Sequence, residues 1–337
     1  MRRAASLPPF HSLTLVASLV VLSLLNGQSE SRAAEAEDAA PNRSARALDK
    51  KVLLIGIDGC RFDALQVAKT PHLRGLMEAG IYANNTAIFG ERYQKADTVS
   101  GPGWSSIMTG VWADKHGVHD NKFRGANYAA FPVFFRRIKD ARPKARTVSI
   151  VTWEPIHDKI ISAADVSLKF VQPPKAYAQH DAEAARFAVR ELSENNPDAF
   201  FLYFGQVDET GHAKGFSPKQ PEYIAAIEQV DTHIGAVLAA VRARRTFAAE
   251  DWLIIVTSDH GGAGKDHGNG HRSPEITNSF LIVSGPSAQR GKFTTPTYIV
   301  DAPVTALAHL GIPLAPDWNL DGRPIGLAVP KPTATLP

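Results

Sequence analysis

Four short segments of this chain carry side chains that could bind a metal ion. Asp58 closes the run Gly56-Ile57-Asp58-Gly59. Asp208 and His212 stand four residues apart, a spacing that puts both on one helix face and that a tight loop can also bring to one ion. Asp259 and His260 are adjacent in Ser258-Asp259-His260-Gly261-Gly262, where the glycines let the backbone turn close to an ion. His267 follows in Lys265-Asp266-His267-Gly268, with His271 as its rival. Each segment alone has a plainer explanation, such as a turn-forming Asp or a surface His. Together, three carboxylates and three imidazoles supply two nitrogen/oxygen cages, each with room for an open position. That donor set suits two divalent metal ions, Zn²⁺ first, with Mn²⁺ or Fe as rivals. Two ions about 4 Å apart can clamp the attacking and leaving oxygens of an in-line displacement at phosphorus.

The displacement needs a nucleophile, and Thr98 to Gly110 offers one. Pro102 suits the first turn of a helix, Trp104 to Thr109 continues it and Gly110 can cap its end. Ser100 then sits at the helix N-terminus, where free N–H groups and the dipole favour an alkoxide and a phosphoryl group. Ser100 could equally be only an N-cap. Thr98, Ser105 and Ser106 offer further hydroxyls, and the residues alone leave that choice open.

Something must hold these segments together. Val52 to Ile57 is a continuous apolar run of the kind found in buried parallel strands. Similar runs recur at Thr147 to Thr152, Ala199 to Phe204 and Trp252 to Thr257, with Asn278 to Val283 a further candidate. Helical spacing falls between them at Ala182 to Leu192, Glu222 to Val241 and Ile299 to Leu310. The alternation predicts an α/β fold: a doubly wound, mostly parallel central sheet with helices on both faces. Asp58, Asp208 and Asp259-His260 all follow strands, and in open α/β sheets ligands bind at the carboxyl ends of strands.

The N-terminus reads as an export signal. Arg2 and Arg3 precede the apolar run Leu13 to Leu25, and small-x-small sites follow at Ser31 to Ala33 and Ala34 to Ala36. The expected organisation is a signal peptide at 1–33, a disordered linker at 34–50 and one catalytic domain at 51–330, in a secreted or periplasmic protein with no stable membrane insertion after cleavage. No other stretch is expected to span a bilayer. The 337 residues are 44% hydrophobic and 21% charged, with a net charge of +3 and a single cysteine. This composition fits a large globular core, carries no nucleic-acid-binding signature and rules out an intrachain disulfide.

The motifs as a set resemble the alkaline phosphatase superfamily, in its type I phosphodiesterase/nucleotide pyrophosphatase branch. The resemblance runs from Lys51 to about Gly326. It rests on Asp58-Gly59-x-Arg61-x-Asp63, Thr70-Pro71-His72-Leu73, Thr109-Gly110 with His116-Gly117-Val118, Asp208-x-x-Gly211-His212, Ser258-Asp259-His260-Gly261 and the tail Ile299 to Pro303 with Leu320-Asp321-Gly322-Arg323. It implies that Asp58, Asp259 and His260, with Ser100, hold one ion, and that Asp208, His212 and His267 hold the other. It also implies a small phosphate-ester substrate and a covalent intermediate on Ser100.

Two departures stand out. Gly103 replaces an asparagine usual three residues after the nucleophile, which leaves oxyanion binding to backbone N–H groups such as that of Gly101. The chain also barely exceeds the superfamily core. Lys122, Arg61 and Arg272 could contact an anionic substrate, although a solvated charge is the plainer reading of each. Sulfatases share the Ser100-x-Pro102 beginning of their motif but carry arginine where this chain has Trp104. A sulfatase-like hydrolase is therefore the second reading, and a non-catalytic metal-binding protein of the same fold the third.

Overall fold

The computed structural model describes residues 48–92, 95–170 and 172–329. The expected signal peptide and residues 34–47 of the expected linker lie outside them. Asp49 and Lys50, expected to lie in the linker, pair with Glu250 and Asp251.

Among the described residues, eight strands form one sheet: β1 (Asp49–Ile57), β2 (Ile81–Ala87), β3 (Thr147–Val151), β4 (Val166–Lys169), β5 (Ala199–Phe204), β6 (Glu250–Thr257), β7 (Asn278–Ser284) and β8 (Gly291–Lys292). Their order is β4-β3-β5-β1-β6-β7-β2-β8. The sheet is parallel from β4 through β6. β7 runs antiparallel to both β6 and β2. The apolar runs lie where both faces are covered: every residue of β5 and β6 is buried.

The helices are α1 (Phe62–Val67), α2 (Pro71–Ala79), α3 (Ser100–Thr109), α4 (Ala113–His116), α5 (Phe134–Ala141), α6 (Tyr177–Glu194), α7 (Gln206–Lys214), α8 (Pro221–Arg242), α9 (Pro274–Thr277) and α10 (Asp301–His309). Side chains alternate across a strand, so β1 feeds two cores. Leu53, Ile55 and Ile57 pack with Leu73 of α2, Ala184 of α6 and Ile234 of α8. Val52 and Leu54 pack with Ile107 of α3, Ile138 of α5 and Leu307 of α10. The expected doubly wound architecture is the one observed. By length and composition alone, α8 is long and apolar enough to cross a membrane. It is a core helix, with Tyr223, Ile227, Val230 and Ile234 all buried.

Candidate metal centre

β1 lies between β5 and β6, so the three strand ends that carry the acidic residues are neighbours. Asp58 follows β1 directly, Asp259 and His260 follow β6, and α7 starts just after β5 and presents Asp208 and His212 one turn apart. The loop after β6 returns His267 to the same place. His260 Nε2 lies 3.2 Å from Asp259 Oδ2 and 3.6 Å from Asp58 Oδ1. Asp208 reaches His212 Nε2 and His267 Nε2 at 3.4 Å each, one through each carboxylate oxygen. The His212 and His267 Nε2 atoms are 3.0 Å apart. The rings of His260 and His267 stack at 3.8 Å, which joins the two groups.

The hydrogen bonds on the far side of each imidazole fix its tautomer. His260 Nδ1 contacts Gly261 O at 2.8 Å, His267 Nδ1 contacts Thr98 O at 2.9 Å and His212 Nδ1 contacts Lys265 O at 2.9 Å. A carbonyl only accepts, so each Nδ1 carries the proton and donates it. Each Nε2 then faces the cluster, and neutral rings present lone pairs there, the arrangement that metal-binding histidines show. The Nε2 atoms of His212 and His267, 3.0 Å apart, need a shared proton or a cation between them. Asp208 Oδ1 and Asp259 Oδ2 are buried and have no hydrogen-bond partner. Buried carboxylate oxygens without donors are costly, and a bound ion removes that cost. Among the described residues, two groups have their ligand atoms close enough together to hold an ion: Asp58, Asp259 and His260, and Asp208, His260 and His267. The donors present therefore fit divalent metal ions.

The electrostatics carry the same signature. Burial, then the Asp208 carboxylate, push the Asp58 carboxyl up to about 6. Burial, then Asp58 and Asp208, push Asp259 well above the usual carboxylate range. At Asp208 burial is outweighed by the His212 hydrogen bond and the nearby imidazoles, which hold it below that range. The Asp208 hydrogen bond raises His212 to about 9, whereas burial, then His260, lower His267 to about 4.

Ser100 is the first residue of α3 and makes no cap, since Val99 holds the N-cap position. Its Oγ lies 3.2 Å from His260 Nε2 and 3.5 Å from Asp58 Oδ1. The rival hydroxyls are engaged elsewhere. Thr98 Oγ1 donates to His267 O, Ser105 Oγ donates to Gly101 O at 2.6 Å, and Ser106 Oγ contacts His116 Nε2 at 3.0 Å. His271 is turned away: its Nε2 lies 2.7 Å from Ala96 O and its ring stacks on Phe89. Of the two rivals, His267 is the one at the cluster.

Gly103 has a steric reason. A Cβ there would lie 2.8 Å from Asp259 Cβ, so α3 packs its first turn directly against that carboxylate. The Gly101 N–H, expected to be free for a substrate, donates to Asn121 Oδ1 at 2.7 Å. Asn121 thus hangs over the start of α3, one residue from Ser100. It was missed because an amide in the polar loop Asp120-Asn121-Lys122 is a weak signal by itself. Lys122 is exposed in that loop. Arg61 is a clamp rather than an anion site: its Nη1 donates to Phe216 O and Gly262 O at 3.0 Å each, and Asp63 pairs with Nη2 at 2.6 Å. Cys60 is buried and burial pushes its thiol up, so it is a packed residue and not a reactive one.

The support beneath α7 also escaped the sequence. Asp181 of α6 accepts the N–H groups of Gly205 at 3.1 Å and Gln206 at 2.9 Å, and Thr152 Oγ1 donates to it at 2.7 Å. Burial raises the Asp181 carboxyl to about 7.

The family model described as type I phosphodiesterase / nucleotide pyrophosphatase matches residues 52–271. The chain is 26% identical over 239 residues to the bis(5'-adenosyl)-triphosphatase ENPP4 of Bos taurus, covering 65% of this chain and 49% of that protein. It is 25% identical over 258 residues to ectonucleotide pyrophosphatase/phosphodiesterase family member 7 of Homo sapiens, covering 67% and 52%. The chain thus spans about half the length of the curated relatives it matches. Among solved structures, murine ectonucleotide pyrophosphatase/phosphodiesterase 5 superposes with a TM-score of 0.62 at 16% identity, covering 82% of this chain and 100% of that one. A 2-O GAG sulfatase gives 0.58 at 14% identity, covering 79% and 71%. These two structures share the fold.

Proposed function

The chain belongs to the type I phosphodiesterase / nucleotide pyrophosphatase family, and from that membership we propose that it is an exported two-metal phosphoric ester hydrolase acting through a covalent intermediate on Ser100. The observation that carries this reading is the convergence of three Nε2 atoms and two unpartnered buried carboxylate oxygens beside the Ser100 hydroxyl. Asp58, Asp259, His260 and Ser100 would hold one ion, and Asp208, His212 and His267 the other. Bound there, two Zn²⁺ ions supply the positive charge that activates an oxygen nucleophile and stabilises a leaving oxygen.

The chain's own residues do the rest. Ser100 Oγ gives up its proton to solvent and attacks phosphorus, forming the Oγ–P bond as the bond to the leaving alcohol oxygen breaks. Water then attacks the phosphorus of phospho-Ser100, the Oγ–P bond breaks, Oγ takes a proton from the attacking water and the phosphate product leaves. The Gly101 bond orients the Asn121 side chain by its oxygen, which leaves its NH₂ group to donate to a phosphoryl oxygen. Lys122, in the same loop, supplies a mobile positive charge for the ester's anionic portion. Export rests on the sequence pattern of residues 1–33, and the remainder on one catalytic domain over 51–330.

A sulfatase-like site would need an arginine at the Trp104 position. Trp104 is fully buried, and its indole nitrogen donates to Asp58, so no cation stands there. The test is metal analysis of the purified protein together with assays on bis-p-nitrophenyl phosphate, p-nitrophenyl phosphate and p-nitrophenyl sulfate. About two Zn per chain with phosphate-ester cleavage is the expected result; one Ca with sulfate cleavage would favour the sulfatase reading. Metal without turnover on any of the three would favour a binding protein. Ser100→Ala is expected to lose turnover by a factor on the order of 10⁴ or more while keeping its metal. Unchanged turnover would remove Ser100 from the mechanism.

A further inference from the structure

The two oxygens of Asp58 face different surroundings. Oδ1 looks toward Ser100 Oγ and His260 Nε2, at 3.5 and 3.6 Å. Oδ2 looks away and accepts two hydrogen bonds, from Tyr203 OH at 2.6 Å and from Trp104 Nε1 at 2.8 Å. The donors arrive from separate elements, Tyr203 from β5 and Trp104 from α3. Both are sealed from solvent, with Trp104 0% and Tyr203 2% exposed. Their rings meet edge to face at 5.1 Å and 75°.

The fold also makes room for this contact. A Cβ at Gly56 would lie 2.3 Å from the far edge of the Trp104 indole, so only glycine at that strand position lets the ring reach across β1 to Asp58. An oxygen with two strong donors in a dry site has little capacity left for an ion. Turning Asp58 to ligate through both oxygens would break both bonds and leave a buried hydroxyl and a buried indole N–H unpaired, each costly. The carboxylate is therefore limited to Oδ1.

We infer that Tyr203 and Trp104 are positioning residues that hold Asp58 as a one-oxygen ligand and thereby set the affinity of the ion carried by Asp58, Asp259 and His260. The inference rests on the two-metal reading above. Outer hydrogen bonds of this kind change metal affinity by about 10–100-fold. Neither side chain reaches the Asp208 group through these bonds, so the effect is confined to one of the two ions.

The experiment is chelator competition on the Zn-loaded full chain, with Zn counted by metal analysis, for wild type, Tyr203→Phe and Trp104→Phe. Tyr203→Phe removes one hydroxyl and keeps the ring, so the core stays filled. The expected result is that one ion of the two is held about 10–100-fold more weakly in Tyr203→Phe and in Trp104→Phe, and the other within about twofold of wild type. Equal weakening of both ions would reduce the two residues to general support and overturn the inference. So would wild-type affinity for both ions in Tyr203→Phe. Should Trp104→Phe not fold, Tyr203→Phe decides alone. A wild-type protein that takes up fewer than two ions would overturn the two-metal reading itself, a result visible before any variant is compared.

Discussion

The two halves of the candidate metal centre use the same residue types on different supports. Asp58, Asp259 and His260 sit at the ends of adjacent central strands, with side chains 3%, 0% and 1% exposed. Their partners are buried as well: Asp58 is held by Tyr203 and Trp104, and Asp259 Oδ1 accepts the Gly59 N–H at 3.3 Å. Asp208 and His212 ride on the surface of α7, with side chains 17% and 37% exposed. Their companion His267 comes from a loop that Thr98 fastens through its carbonyl and hydroxyl. One half is set by the register of the sheet and the other by a helix and a loop pinned onto it. Preorganisation and solvent exclusion belong to the first half, and adjustment and access to the second.

The largest expected consequence is in ion exchange. A chelator should draw off the Asp208 ion about 10–100-fold more readily than the Asp58 ion, read as two phases of Zn release. His212→Ala should abolish the fast phase and leave one Zn per chain. A single phase in wild type, or loss of the slow phase in His212→Ala, would break the comparison.

A smaller effect is expected at Gly103. The methyl group of Gly103→Ala would meet Asp259 at 2.8 Å, and overpacking of this kind costs about 1–3 kcal/mol. Denaturant unfolding should register that loss, and Zn titration should show weakening at the Asp259 ion alone. Wild-type stability and affinity would mean that α3 and β6 are freer than their packing implies.

The smallest effect concerns the support of α7. Burial raises the Asp181 carboxyl from 3.8 to about 7 in the fold, so ionising it there costs stability. Its contribution is fully present below pH 3.8 and is lost as the pH rises through 7. Asp181→Asn does not titrate and leaves at least one backbone donor of Gly205 or Gln206 without its carboxylate. Metal-free Asp181→Asn should be less stable than wild type by about 1–3 kcal/mol near pH 4.5, and the gap should narrow toward pH 7.5. A gap that widens with pH would reverse the assigned sign.

The fold was legible where burial on both faces writes uninterrupted apolar runs, as in β1, β5 and β6. β2 was not, because its sequence Ile81-Tyr82-Ala83-Asn84-Asn85-Thr86-Ala87 mixes buried and open positions around a bulge. The carboxylates and imidazoles announced themselves by residue type and by following strands. Their supports did not: Tyr203, Trp104 and Asp181 act through one hydrogen-bonding group each, and a tyrosine or tryptophan in an apolar run reads as packing. Gly103 looked like the loss of a substrate contact, and the packing against Asp259 that explains it joins residues far apart in the chain.

β1 lies between β5 and β6, so its Val52 pairs with Ala199 on one side and with Leu253 on the other. The strand that delivers Asp58 is made early in synthesis, yet both of its neighbours emerge much later. No shortened chain ending before residue 250 can close the middle of the sheet, and one ending before 267 still lacks an imidazole. Loop closure over such spans is slow and comes late on the folding route. The candidate ion sites are therefore complete only in a chain that extends past His267.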